Sequence, residues 1–154
     1  MSSFLWALIL FAKLIVHYHV KKYLEDDDWR FRVVGEPENS FIRTGIKGEN
    51  GTFEITIMVS SDPPVVVFRI YDFAKIGNMA LDKKGKLLDL INQYNHNNLF
   101  GKVYIDDDNE LTFSYAIPLV GDTELDRESF IGVLYISTNF VDEMYPSIMK
   151  LVWS

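Results

Sequence analysis

Two runs of residues, Phe41 to Lys47 and Thr52 to Val59, flank a short stretch that ends in Asn50-Gly51. Apolar and polar residues alternate in the second run with the period of a half-buried strand. Asn-Gly favours tight hairpins because both residues tolerate positive φ. This signal commits the chain to antiparallel pairing with a dry face and a wet face. Phe53, Ile55, Ile57 and Val59 share the dry side, and Thr52, Glu54 and Thr56 the wet one.

Neighbouring segments extend the sheet. Trp29 to Val33 alternates like a strand and Glu36-Pro37-Glu38-Asn39 reads as a turn. Asp62-Pro63-Pro64 is another turn, leading into a strand from Val65 to Tyr71. From Leu81 to Asn98 the period becomes helical, with Leu81, Leu87, Leu88, Ile91 and Tyr94 on one stripe. Strands Phe100 to Ile105 and Leu111 to Ile117 follow, joined by the acidic tip Asp106 to Glu110. A last helix is predicted from Thr123, which with Asp126 resembles a capping box, towards Val152. Pro146 should kink it or end it early. The predicted order is α-ββββ-α-ββ-α, an α+β fold in which helices pack on one face of an antiparallel sheet. The 154 residues are expected to form one domain, 1–154.

The amino-terminal segment sets a different constraint. Phe4 to Val16 holds twelve apolar residues in thirteen, broken by Lys13. About 20 such residues are needed to span a bilayer, and a run of this length suits a buried helix better. An export signal or membrane anchor is the alternative, although the Met-Ser-Ser start and the His17, Tyr18, His19 and two-lysine exit fit a signal peptide poorly. The helix should continue to Leu24 and end in the solvated acidic run Glu25 to Asp28. A helix that is apolar all round cannot bury itself on one core. Trp6, Leu10 and the neighbours of Lys13 are therefore the candidate contacts with a second copy of the chain.

Several chemistries lack the residues they need. Without cysteine there is no disulfide, thiolate zinc site, iron–sulfur ligation or cysteine nucleophile, which fits a cytoplasmic protein. The net charge of −7 and scattered basic residues argue against nucleic acid. His17 and His19 would point about 200° apart on a helix, too far to share a metal. An EF-hand beginning at Asp106 would need Gly and Glu where Leu111 and Ile117 stand. Ser60, Ser61 and Ser114 lack a glycine elbow, and Gly48 to Gly51 precedes no helix that would make it a phosphate loop. No catalytic residue, cofactor or metal site is expected.

Particular residues carry a family resemblance. Tyr23-Leu24, Trp29 with Phe31 and Gly51 with Phe53 come first. Leu87-Leu88, Ile91 to Asn95, Phe100 to Val103 and Asp106 to Ser114 continue it, and Asp142 to Pro146 closes it. Over roughly residues 20 to 150 the chain resembles the YbjN-type family of bacterial sensory-transduction regulators. The resemblance implies a fold similar to type III secretion chaperones, which are small acidic homodimers that hold unfolded segments of partner proteins. The expected function is a non-enzymatic protein-binding module, chaperone-like or regulatory, acting as a homodimer. A regulator held at a membrane by its first helix is the alternative, and an enzyme of uncharacterised type a more distant one. Asn92 and Asn95 are expected to cap or clamp locally.

Overall fold

Alternation in the sequence becomes a six-stranded antiparallel sheet. The computed structural model describes residues 3–36, 39–119 and 124–154, apart from the side chains at positions 3–6, 8, 9 and 12. In chain order the described elements are α1 (Ser3–Asp26), β1 (Phe31–Val34), β2 (Phe41–Lys47), β3 (Thr52–Ser61), β4 (Pro64–Ile70), α2 (Leu81–Asn97), β5 (Lys102–Ile105), β6 (Leu111–Pro118) and α3 (Arg127–Trp153). The strands lie in the order β1-β2-β3-β4-β6-β5, each antiparallel to its neighbour. This is the predicted α+β arrangement, with α1 against β3, α2 against β5 and α3 against β6.

Register builds the core. Ile42 pairs with Ile57, Ile57 with Phe68 and Phe68 with Tyr115, so one apolar row crosses four strands. Helix α3 packs aromatic rings on it, Phe130 lying 5.4 Å from Phe68 and Phe140 5.5 Å from Phe113 between centroids. Phe68, Phe113 and Phe130 are fully buried, each contributing on the order of 1.5–3 kcal/mol by removal from water.

The helices depart from expectation in instructive ways. In α2, Leu87 and Ile91 are buried, whereas Leu81 is exposed and Leu88 half-exposed, so the dry stripe is narrower than predicted. Helix α3 is capped by Asp126, whose carboxylate accepts the Ser129 N–H at 3.0 Å. The predicted start, Thr123, lies outside the described residues. Pro146 does not end the helix, which runs on to Trp153. The ring faces solvent while Met144 and Ile148 on either side are buried, and that packing carries the helix past the missing N–H.

The acidic run after α1 is not simply solvated. The Asp27 carboxylate accepts Arg127 Nη2 at 2.7 Å and Trp29 Nε1 at 3.0 Å, tying the exit of α1 to the start of α3. In the turn before β2, the Asn39 N–H donates to the Glu36 carbonyl at 2.9 Å, while Pro37 and Glu38 lie outside the described residues.

Candidate functional site

The turn between β2 and β3 shows how this chain positions its surfaces. Neither Asn50 nor Gly51 takes a φ in the left-handed region, so the property that made Asn-Gly a hairpin signal is not used. The turn is held from outside by Asp142 of α3. Its carboxylate accepts N–H groups from Glu49 at 2.9 Å, Asn50 at 2.8 Å and Gly51 at 3.0 Å. Burial alone would push this carboxyl up, but the N–H donors of Asn50, Glu49 and Gly51 outweigh it and hold it below the ordinary carboxylate range. Pro146 completes the clamp. It has no N–H to give the Asp142 carbonyl four residues earlier, and Asn50 Nδ2 donates there at 3.2 Å. Glycine is required for close approach: a Cβ at Gly48 would lie 2.3 Å from Asp142 Oδ1, and one at Gly51 2.7 Å from the Phe53 ring. Sequence reasoning missed Asp142 because its donors are 91 to 93 residues away.

Helix α1 presents the first candidate surface. Its second half is anchored by buried His17, Val20 and Leu24, and by the Tyr23 hydroxyl, which donates to the Leu125 carbonyl at 2.7 Å. Burial and the charges of Lys21 and Lys13 hold the His17 imidazole below its ordinary value. Those anchors fix the rotation of the helix. Leu10 and Lys13 are half-buried, in helical phase with the anchored side. The side chain of the third predicted contact, Trp6, lies outside the described residues. The outward stripe is Phe11, Leu14, Ile15 and Tyr18, which are 62%, 43%, 42% and 58% exposed. Their spacing of three, four and seven residues confines them to one side of the helix.

The second surface is the sheet face away from the helices. One cross-strand row runs Arg32–Arg43–Thr56–Arg69–Ser114–Lys102 through all six strands. Three of the chain's five arginines therefore stand in a single line. Each of Arg43, Arg69 and Lys102 lies over the ring two residues away in the chain, at 5.1 Å from Phe41, 5.9 Å from Tyr71 and 5.7 Å from Tyr104. Glu54 pairs with both Arg32 and Arg43, at 3.3 and 3.4 Å. Arg69 Nη1 donates to the Tyr71 hydroxyl at 3.0 Å, and its buried Nε has no partner among the described residues. A shallow depression of about 420 Å³ opens here between Phe41, Arg43, Met58 and Tyr71. The sequence signal was available: these cations occupy the wet positions of their strands, but only strand order lines them up.

Polar clusters elsewhere serve the fold. Asp106 accepts the N–H groups of Asp108 and Glu110 and the Thr112 hydroxyl, so it caps its own hairpin. Asn95 donates to the Val103 carbonyl at 2.8 Å and accepts its N–H at 2.9 Å, as an adjacent strand would along the outer edge of β5. Among the described residues, no group of three His, Cys, Asp or Glu side chains is arranged to hold a metal ion. Nor is any helix among them long and apolar enough to cross a membrane.

Comparison with known proteins fits this geometry to a family. The family model for YbjN, described as "Putative bacterial sensory transduction regulator", matches residues 19–149. The chain belongs to the YbjN family. Its fold is similar to that in the "Crystal structure of YbjN, a putative transcription regulator from E. coli", at a TM-score of 0.57 and 15% identity. That likeness covers 82% of this chain and 85% of the other. No curated protein matches. Within the YbjN match fall the Asp142 clamp and the whole cation row, whereas Phe11, Leu14, Ile15 and Tyr18 precede it.

Proposed function

We propose that this YbjN-family chain is a non-enzymatic cytoplasmic regulator that acts by binding another protein, as a homodimer joined through α1. The observation that carries this reading is the outward stripe of Phe11, Leu14, Ile15 and Tyr18 on a helix already anchored on its opposite side. Large apolar side chains grouped on one surface mark a contact, and a twofold pairing of the same helix covers both stripes at once. Leu10, half-buried between the anchored side and Leu14, would form the margin of that contact, while Lys13 lies on the anchored side. The family's regulatory description agrees with a role in binding.

Light scattering after size exclusion tests the reading. The wild-type chain should have the mass of a dimer, and the Phe11→Glu/Leu14→Glu variant that of a monomer with an unchanged fold by circular dichroism. A wild-type monomer at high micromolar concentration would remove the dimer. The stripe could also lie on a bilayer as an interfacial helix does. Wild-type chain floating with anionic vesicles, and the double variant failing to float, would put that reading in its place.

A further inference from the structure

The cation row of the open sheet face is unexplained by dimerisation through α1. Its four cations outnumber the two carboxylates beside them, Glu54 and Glu110, and leave an excess of two positive charges in a chain whose net charge is −7. Arg69 stands in no ion pair among the described residues. A local reversal of sign on an acidic protein is a specific electrostatic signal, because the rest of the surface repels what the row attracts.

Spacing narrows the occupant. Arg43, Arg69 and Lys102 stand on alternate strands, so successive cations are about 9.6 Å apart at the usual strand separation. A polyproline II helix repeats every three residues, about 9.3 Å, and brings residues i, i+3 and i+6 to the same side. An extended acidic β-strand does not match, since residues three apart point to opposite faces. Phe41, Met58 and Tyr71 give the depression the aromatic and apolar lining on which proline-rich chains dock.

We propose that the open face of the sheet binds an acidic polyproline II segment of a partner protein, lying across the strands with carboxylates at every third residue on Arg43, Arg69 and Lys102. This rests on the protein-binding reading and names the partner's chemistry. A second copy is not the occupant in a face-to-face dimer, because a twofold pairing would set one cation row against the other. A nucleic acid strand is disfavoured because the acidic surface around the row repels a long polyanion.

Fluorescence anisotropy with the full chain tests the proposal. The probe is a fluorescein-labelled peptide of four Glu-Pro-Pro repeats. Comparison probes are the Lys-Pro-Pro analogue, a block peptide with all four glutamates before its prolines, and an oligothymidine. The repeat peptide should bind saturably and weaken as salt rises. Arg43→Gln/Arg69→Gln should weaken it by at least about tenfold and exposed Lys102→Gln by about threefold, as loss of charge-assisted contacts requires. The lysine peptide should not bind.

No saturable binding of the repeat peptide overturns the proposal. So does unchanged affinity in the variants, or equal affinity for the block peptide. Tighter oligothymidine binding would replace the partner with a nucleic acid. Unchanged affinity in Lys102→Gln, which is too exposed to unfold the chain, refutes the row even if the double variant misfolds. A pull-down separates this proposal from the reading beneath it. Partner capture that is undiminished in the double variant sinks the acidic segment and leaves protein binding standing, while capture of nothing, with no peptide bound, sinks both.

Discussion

Replacing Asp142 with alanine tests whether the β2–β3 turn is built locally or held by α3. The substitution removes the acceptor of three backbone N–H bonds of 2.8 to 3.0 Å. Hydrogen bonds to a charged group contribute about 1.5–3 kcal/mol each when measured singly. Their sum overstates the effect here, because Glu49 and Asn50 are exposed and water can reach their freed donors. We expect a loss of about 3 kcal/mol, or a fall in Tm of about 6–12 °C at the ~2–4 °C per kcal/mol typical of chains this size. Urea unfolding and calorimetry measure it. Acid supplies the second arm. The Asp142 carboxyl is held below its ordinary 3.8 in the folded chain, so its contribution is complete above that pH and is lost as pH falls below it. The gap between wild type and variant must therefore narrow below about pH 4. A loss under about 1 kcal/mol at neutral pH, or a gap that does not narrow in acid, would show that the hairpin folds without its clamp.

Other substitutions probe the same physics. Gly48→Ala pushes a Cβ to 2.3 Å from Asp142 Oδ1 and should destabilise nearly as much as loss of the carboxylate, but little in an Asp142→Ala background, which a double-mutant cycle measures. Asn95→Ala removes both bonds to Val103 and should lower stability by about 1–2 kcal/mol, with faster hydrogen exchange at the Val103 amide. Burial and the charges of Lys21 and Lys13 keep His17 below its ordinary 6.5, so the unfolded chain binds the proton more readily. Stability held by neutral His17 is complete above that value and falls as pH drops below it, a slope that His17→Gln should flatten in melts between pH 7 and 5.

By itself the sequence determined what depends on neighbours along the chain. Period-two runs defined the strands, period 3.6 defined the helices, and their order required an antiparallel sheet with helices on one face. Those patterns record how each segment divides between core and water, and burial dominates the energy of either choice. What the tertiary structure decided are contacts between residues far apart in the chain. Packing of His17, Val20 and Leu24 set the rotation of α1 and turned Phe11, Leu14, Ile15 and Tyr18 outward. Core contacts at Met144 and Ile148 carried α3 through Pro146. The carbonyl that this proline leaves without a helical bond, together with the Asp142 carboxylate, took over a hairpin that Asn50-Gly51 was expected to turn alone. Only strand order brought Arg32, Arg43, Arg69 and Lys102 into one row. Each of these residues looked ordinary in its own segment, because a carboxylate or guanidinium acquires its role from the groups that folding places around it.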